Sequence, residues 1–443
     1  MKITGRTAAG IAASVEQQLP HAQPGDTLPP VRSVAARLRV SPATVAAAYK
    51  LLQARGLTAG GGRRGTRIVA PGSLPETRVP VAIPADAMDL ASGHPDSSLL
   101  PRLLPTHFLS RLEPDDRNPL DAALMAFAAM EFEADGIPAT DMTIAAGALD
   151  AIERILREHL KTGDAVVIED PALTEIRELI ETSGFVPVPV TVDADGPGPE
   201  SLTHALASGC RALVVTPRAQ NPTGAAISQS RAADLRRILR PYPDVVVIEN
   251  DYAAPVAGVP IAPVRTGNHE RWAVVRSTST FLGPDLRLAL VAGDPLTIAR
   301  VRRRQALGAR WVSRIVQRLV LACWSDPSGA RRLARAAEVY GLRRAGLVSA
   351  LAQHGIDASA KSGFNVWLPV REETAVVTAL MAKGWAVASG ESFRIRAQPA
   401  IRVTTSALDQ TDALRFAADL AAVTGRGRAR PMEHPAVRRV APY

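Results

Sequence analysis

The chain has 443 residues, of which 47% are apolar and 21% charged, as in ordinary folded globular proteins. No stretch approaches 18 uncharged apolar residues, and residues 1–19 lack an apolar signal core, so we expect no membrane partner, no secretion and a cytoplasmic location. The two cysteines cannot form a disulfide framework, and no Cys/His cluster has the spacing of metal ligands.

The positive charge is concentrated at one end of the sequence. The formal net charge is +9, and residues 1–78 carry eleven Lys/Arg against three acids, a local net charge of +8. A basic module attached to a nearly neutral body favours a polyanion as partner, most simply nucleic acid.

Helical patterns open this basic module. Apolar residues at helical spacing predict a first helix within 4–19, which the proline-rich segment PGDTLPP ends. A short amphipathic helix follows at 31–38, and after a tight turn Ser41 is a favourable N-cap for a helix over 42–56.

A hairpin closes the module. Residues 57–59 and 66–69 form two short β patterns around the basic, glycine-rich tip at 60–65. Two helices joined by a short turn and followed by a basic hairpin predict a winged helix-turn-helix, whose second helix enters the major groove while the wing lies along the phosphates of double-stranded DNA.

The segment LPPVRSVAARLRVSPATVAAAYKLLQARGL and the wing after it resemble the GntR family of DNA-binding regulators over about 65 residues. The resemblance implies a DNA-binding domain over 1–70. It also implies contacts to phosphates and to the minor groove or backbone, from Arg32, Thr44, Arg63, Arg64 and Gly65.

The recognition helix departs from the family pattern, because alanines and a proline replace the polar residues expected on its reading face. Direct base recognition should therefore depend on Ser41, Thr44 and Lys50, with thymine-methyl contacts from the alanines.

The rest of the chain predicts a linker over 71–88, a large domain over 89–425 whose smaller α/β lobe covers about 340–425, and a basic tail over 426–443 that could add non-specific DNA affinity. Short apolar strands alternate with helices, which favours a parallel sheet covered on both faces, a three-layer α/β fold. The predicted strands are 165–168, 187–190, 212–215, 245–248 and 273–275, and the predicted helices are 123–135 and 148–160. An arginine-rich helical region over 299–350 fits a solvated face, dimer salt bridges or a second DNA contact.

Six segments of this domain resemble the fold-type I aminotransferases, in the same order along the chain. They are Ala146–Ala148, Glu169–Pro171, Gln220–Gly224, Glu249–Tyr252, Ser277–Leu288 and Ala400–Val403. A GntR-type reader joined to an aminotransferase-like body is the arrangement of the MocR subfamily of bacterial transcription regulators. That resemblance implies a head-to-tail homodimer and a pyridoxal 5′-phosphate site in which one lysine forms an imine with the cofactor.

The resemblance also implies a ligand pocket. Small residues at a helix N-terminus form a natural phosphate cradle. By resemblance, Ser277 and Arg287 also hold the phosphate, Asn221 and Tyr252 approach the ring hydroxyl, and Arg402 takes a carboxylate. The full pocket set is Gly147, Ala148, Asn221, Asn250, Tyr252, Ser277, Ser279, Thr280, Arg287 and Arg402. Arg287 and Arg402 would be costly to bury alone, so each requires an internal or ligand anion.

Three departures argue against aminotransferase chemistry. Thr280 stands at the position of the lysine and cannot form an imine, and of the five lysines in the chain only Lys361 is a candidate to approach the cleft. Asn250 stands where the family has the aspartate that keeps the pyridine nitrogen protonated, and Asp251 has the wrong strand parity to replace it. Leu173 or a neighbour replaces the aromatic residue that stacks on the ring.

We therefore predict a DNA-binding transcriptional regulator without catalytic residues, whose aminotransferase-like domain dimerises and senses a small anionic effector. No covalent cofactor is expected, whereas non-covalent pyridoxal 5′-phosphate or another anion fits the remaining residues. Two alternatives stay open. One is a pyridoxal-phosphate-dependent regulator or aminotransferase that uses a non-standard lysine, and the other is a dimer scaffold that senses nothing.

Overall fold

The computed structural model describes residues 3–19, 22, 26–54, 57–60, 65–68, 83–101, 119–265, 267 and 269–425. Arg63 and Arg64 of the predicted wing, most of the predicted linker and the basic tail lie outside these residues. The chain divides into one unit formed mainly by residues 1–83 and a larger unit that begins at Pro84.

The N-terminal unit contains the elements that the sequence predicts, in the predicted order. They are α1 Ala8–Glu16, α2 Val31–Leu38, α3 Pro42–Ala54, β1 Thr58–Gly60 and β2 Thr66–Ile68. The two strands pair antiparallel, with Thr58 opposite Ile68, and an isolated bridge joins Thr27 to Arg67 beside them. The unit is a winged helix-turn-helix.

Apolar side chains from all three helices form the core of this unit. Ile11, Val34, Val45 and Leu52 are completely buried and pack together. The turn between α2 and α3 is set by Arg39, which caps α2 at a φ of 53° in the left-handed region.

An eight-stranded sheet forms the centre of the larger unit, in the order β4-β11-β10-β9-β8-β5-β6-β7. The strands are β4 Met142–Ala145, β5 Ala165–Asp170, β6 Val186–Asp193, β7 Gly196–Pro197, β8 Ala212–Val215, β9 Val246–Asn250, β10 Trp272–Ser277 and β11 Ala289–Gly293. Every residue of β4, β8, β9, β10 and β11 is buried. Because side chains alternate along a strand, full burial requires cover on both faces of the sheet.

The sheet is not wholly parallel, which corrects the sequence-based prediction. β11 runs antiparallel between β4 and β10, and β7 runs antiparallel to β6. An apolar run such as that of β11 carries no sign of strand direction, so its sequence could not reveal the reversal.

Eight helices accompany this sheet among the described residues. They are α4 Ala122–Ala134, α5 Ala148–His159, α6 Thr174–Thr182, α7 Pro199–Ala207, α8 Gln229–Leu239, α9 Ser279–Leu282, α10 Pro295–Ala306 and α11 Arg314–Ser325. The predicted arginine-rich helical region is thus divided among α10, α11 and the next helix, with Arg310 in the left-handed region between the first two.

A four-stranded sheet builds the small lobe, in the order β12-β14-β13-β3. Its elements are β3 Met88–Leu90, α12 Pro327–Gln353, β12 Asn365–Pro369, α13 Glu373–Met381, β13 Trp385–Ser389, β14 Ala400–Thr404 and α14 Gln410–Val423. β3 begins at Met88, the residue with which the predicted linker ends, and pairs parallel with β13. α12 serves two cores, because Tyr340 packs in the core of the large lobe and Leu347 in that of the small lobe.

Candidate functional site

The start of the recognition helix α3 presents a polar surface. The Oγ of exposed Ser41 accepts a hydrogen bond from the Thr44 backbone N–H at 3.1 Å and lies 2.8 Å from the Thr44 Oγ1. Ser41 therefore caps the helix as well as facing solvent. Arg32 on α2 and Lys50 on α3 are also exposed, as contacts to DNA require.

Gly65 directly precedes β2, the second strand of the wing, and a larger residue would be strained at this position. Gly65 has a φ of +78°, and a Cβ placed on it would lie 2.9 Å from the Thr27 Cγ2. Both the backbone conformation and the lack of space exclude a larger side chain here. The structure thus explains why residue 65 is a glycine, and its contact with DNA stays a prediction.

The candidate ligand pocket lies at the carboxyl ends of the parallel strands of the large lobe. Ala145 at the end of β4 and Ser277 at the end of β10 both pair with Ala289, the first residue of β11. Neighbouring strands lie about 4.8 Å apart, so the ends of β4 and β10 are about 10 Å from each other. Crevices at this edge are where open α/β sheets bind ligands.

The predicted phosphate residues meet at this edge. Gly147, at a φ of +118°, caps α5, and a Cβ placed on it would lie 3.4 Å from the Arg287 Cγ. The Oγ atoms of Ser277 and Ser279 are 3.0 Å apart. Ala148 is the first residue of α5, so its backbone N–H belongs to the positive end of a twelve-residue helix.

The exposure of Arg287 removes the expected need for an anionic partner. Its side chain is exposed rather than buried, so it does not require an internal anionic partner. Arg287 directly precedes Leu288 and β11 at the open edge of the sheet, where solvent supplies the hydration that a buried guanidinium would lack.

Strand parity places Asn250 and Ser277 on the same face of the sheet. Asn250 pairs with Val275, and Ser277 lies two residues further along β10. Asn250 is 3% exposed, and its Oδ1 has no hydrogen-bond partner among the described residues. An unpartnered buried amide oxygen is costly, which favours a ligand group as its partner.

Tyr252 and Asn221 stand on the small-lobe side of the pocket. The Tyr252 hydroxyl donates a hydrogen bond to the Ala219 carbonyl oxygen at 2.6 Å, and burial raises the pKa of Tyr252. The Asn221 Oδ1 accepts a hydrogen bond from the Arg402 Nη1 at 3.2 Å. The predicted ring-hydroxyl and carboxylate residues are therefore neighbours.

Arg402 is a buried cation without a carboxylate partner. It is 4% exposed, and burial lowers its pKa to about 10. Its Nη2 donates to the Ala91 carbonyl oxygen, its guanidinium lies 4.8 Å from the centre of the Phe393 ring, and its Nε is unpartnered. Within the described residues Arg402 makes no salt bridge, so a ligand carboxylate would supply the missing charge.

Comparison with known proteins identifies both parts of the chain. A family model described as "Bacterial regulatory proteins, gntR family" matches residues 7–68, and one described as "Aminotransferase class I and II" matches residues 120–420. The chain is 40% identical to the "Vitamin B6 salvage pathway transcriptional repressor PtsJ" of Salmonella typhimurium, over 94% of this chain and 98% of the relative. The chain belongs to the MocR-type regulators of the gntR family.

Two further relatives are more distant from this MocR-type regulator. The "HTH-type pyridoxine biosynthesis transcriptional regulator PdxR" of Corynebacterium glutamicum is 26% identical over 72% of this chain and 73% of its own. The solved structure of LysN, an alpha-aminoadipate aminotransferase from Thermus thermophilus complexed with N-(5′-phosphopyridoxyl)-L-leucine, matches with a TM-score of 0.66 and 19% identity, over 77% of this chain and 92% of that one. At this identity the likeness to LysN establishes the fold alone.

A buried ion cluster behind the pocket was missed by sequence reasoning. Asp251 is fully buried and binds Arg218 at 2.7 Å and Arg276 at 2.8 Å. Both arginines also reach Asp135, at 3.0 and 2.6 Å. Asp251 thus forms salt bridges on the face of the sheet opposite Asn250 and does not replace the missing aspartate. Its partners come from segments too distant in sequence for any local pattern to show.

The sequence analysis also did not predict the burial of two glutamates on the strands next to the pocket. The Glu169 carboxylate accepts hydrogen bonds from the Thr216 N–H at 3.2 Å and the Gln220 side chain at 3.3 Å, and that of Glu249 from the backbone N–H groups of Val264 and Arg265 at 3.1 and 3.2 Å. Burial raises the pKa of each to about 7. Glu169 belonged to a predicted motif, but its burial had no sequence signal.

Lys361, the candidate to replace the missing lysine, forms a salt bridge in this structure. The Lys361 Nζ lies 2.7 Å from the Asp195 Oδ1 in an exposed salt bridge, and the Lys383 Nζ lies 2.8 Å from the Asp419 Oδ1. Thr280, at the expected lysine position, lies half-buried on the short helix α9.

Within the described residues, no group of three His, Cys, Asp or Glu side chains could hold a metal ion, and no helix is long and apolar enough to cross a membrane.

Proposed function

We propose that this regulator is a dimeric repressor of vitamin B6 salvage genes whose aminotransferase-like domain binds a phosphorylated B6 compound without a covalent bond. The observation that carries the proposal is its 40% identity to a repressor named for that pathway, over nearly the full length of both proteins. The second relative, named for pyridoxine biosynthesis, supports the same chemical class of effector.

The pocket residues fit a phosphorylated pyridine in part. Gly147 at the α5 N-terminus and the neighbouring Arg287 would hold a phosphate, and the unpartnered Oδ1 of Asn250 would take a polar group of the ring. When bound, pyridoxal phosphate would supply an electron sink to an amino acid that has displaced a lysine amine from its aldehyde carbon. Thr280 offers no amine for that bond, and neutral Asn250 cannot hold a proton on the ring nitrogen. The residues present therefore support binding and not amino transfer.

Arg402 extends the proposal to the rest of the ligand. Its buried guanidinium makes no salt bridge with any described residue, and a carboxylate would pair with it through charge-assisted hydrogen bonds. A compound that carries both a phosphate and a carboxylate thus fits both ends of the pocket.

The first experiment titrates the purified protein with pyridoxal 5′-phosphate, followed by borohydride reduction and peptide mapping. We expect thermal stabilisation by the ligand and no labelled lysine. Lys361→Ala is the matched variant, because a non-standard imine at Lys361 would be lost in it. A labelled lysine would establish the cofactor-dependent alternative, and no stabilisation by any B6 compound would favour the scaffold alternative.

The second experiment tests repression. Binding to the DNA upstream of a B6 salvage gene is measured with and without pyridoxal 5′-phosphate, using Arg402→Ala and, as control, Arg237→Ala. Arg237 lies on the surface with its side chain 77% exposed, so its removal should leave the response unchanged. A DNA affinity that no bound ligand alters would refute the sensing part of the proposal.

A further inference from the structure

The guanidinium of Arg402 is covered by a short segment that precedes the large lobe. We call residues Ala91–Asp96 the strap. The Ala91 carbonyl oxygen accepts from the Arg402 Nη2, and a Cβ placed on Gly93 would lie 3.0 Å from both Nη1 and Nη2. The side of the guanidinium that carries these two nitrogens is therefore occupied by the chain itself.

The strap is held by few and mostly weak contacts. The Asp89 Oδ1 accepts hydrogen bonds from the Ala91 and Ser92 N–H groups at 2.9 Å each, and the Ser406 Oγ donates to the His94 carbonyl oxygen at 2.7 Å. No strand of either sheet includes the strap. Its movement would therefore break only a few hydrogen bonds.

Asp96 fixes the far end of the strap. It binds Arg343 on α12 at 2.8 Å, and its backbone N–H donates to the Tyr340 hydroxyl at 3.1 Å. The near end continues directly into β3, which follows the linker to the helix-turn-helix. The strap is thus anchored to α12 at one end and joined at the other to β3, which follows the linker in the sequence.

We propose that the strap is an internal competitor of the carboxylate ligand and transmits occupancy of Arg402 to the DNA-binding unit. A carboxylate forms stronger, charge-assisted hydrogen bonds with a guanidinium than a backbone carbonyl does. A carboxylate bound to the two Nη atoms displaces Ala91 and moves the strap, and with it Leu90, the last residue of β3. The inference rests on the proposed function, because it requires a carboxylate ligand at Arg402.

Gly93→Ala tests the coupling without a ligand. The new methyl group lies 3.0 Å from both Nη atoms, closer than an ordinary van der Waals contact, so the strap and the guanidinium should separate by a few tenths of an ångström. The control is Gly355→Ala, since Gly355 has a φ of +67°, close to the +72° of Gly93, with no atom within 4 Å of the added Cβ. Both variants bear the same backbone strain, and only one meets the guanidinium.

We expect Gly93→Ala to change the operator Kd about 5- to 150-fold, the usual range of allosteric coupling, while Gly355→Ala leaves it at the wild-type value. Ser406→Ala, which removes an anchor without backbone strain, should change the Kd in the same direction and keeps the test valid if Gly93→Ala does not fold. Wild-type affinity in both folded strap variants would overturn the proposal.

Two probes separate this inference from the proposed function. N-(5′-phosphopyridoxyl)-L-leucine carries a phosphate and a carboxylate, and pyridoxine 5′-phosphate carries only the phosphate. Backbone hydrogen exchange of residues 89–96 and operator Kd are measured with each. We expect both probes to bind, and only the first to accelerate exchange at Ala91 and Ser92 and to move the Kd toward that of Gly93→Ala.

The outcomes are distinct. Binding of the carboxylate probe with unchanged exchange and Kd would overturn the strap while the proposed ligand class stands. Failure of both probes to stabilise the protein would refute the proposed function, and the ligand part of this inference with it, while an altered Kd in Gly93→Ala would still support the coupling of the strap to DNA binding.

Discussion

The buried carboxyl group of Glu249 predicts how the free energy of unfolding changes with pH. Its side chain is 1% exposed, and within the described residues its carboxylate oxygens accept hydrogen bonds only from the backbone N–H groups of Val264 and Arg265. Burial outweighs these bonds and the charge of Arg265, and raises the pKa from 4.5 to about 7. Each pKa unit corresponds to about 1.4 kcal/mol, so an ionised Glu249 costs the folded state about 3 kcal/mol.

The direction in which stability changes with pH follows from whether the folded or the unfolded state holds the proton on Glu249. Between pH 4.5 and 7 the folded protein holds the proton on Glu249 and the unfolded chain has lost it, so stability falls as pH rises through this range. Glu249→Gln cannot ionise, and its amide oxygen can still accept from Val264 and Arg265. The variant should therefore gain about 2–3 kcal/mol relative to wild type between pH 5 and pH 8.

Urea unfolding of both proteins at pH 5 and pH 8, followed by tryptophan fluorescence, measures the difference. Glu169, which also has a pKa of about 7, is present in both proteins and cancels. Glu338→Gln is the control, because its salt bridge with Arg335 is 61% exposed on both sides and should contribute little. A difference between wild type and Glu249→Gln that does not change with pH, or that changes in the opposite direction, would refute the reasoning.

Three further variants test separate contacts. Tyr49→Phe removes the hydrogen bond from the Tyr49 hydroxyl to the Pro29 carbonyl oxygen at 2.7 Å and should cost the N-terminal unit about 1 kcal/mol in urea, so unchanged stability would show that bond to be unimportant. Arg276→Met leaves the buried Asp251 short of a partner and should cost about 3–5 kcal/mol by the same method, whereas Arg237→Met on the surface should change stability by less than about 0.5 kcal/mol. Thr280→Lys restores an amine at the family position, and borohydride with pyridoxal 5′-phosphate should label the peptide that spans residue 280; no label would place Thr280 outside the pocket.

The sequence predicted those elements whose causes are local. Pro42 begins α3 one residue after its Ser41 cap, and β8 covers Ala212–Val215 as its apolar run indicates. Cap chemistry and apolar periodicity act over a few residues, so a single sequence contains them. The family motifs likewise located the carboxyl ends of β9 and β10 and most of β14.

The features that sequence reasoning missed depend on distant partners. The direction of β11 depends on its neighbours β4 and β10, and the burial of Asp251 depends on Arg218 and Arg276. The exposure of Arg287 was not predicted, because a motif indicates the role of a side chain and not its surroundings. The cover that Ala91 places over Arg402 joins residues more than 300 positions apart, which no spacing rule reveals.

The small lobe takes its strands from both sides of the large lobe in the sequence, and this imposes an order on synthesis. β3 leaves the ribosome about 300 residues before β13, its partner. At about 5–20 residues per second, roughly 15–60 s separate the two strands. The winged helix-turn-helix, whose core draws on residues 3–68, is complete before this interval begins. All residues of the DNA-binding core are therefore synthesised well before Arg402, which completes the set of predicted pocket residues.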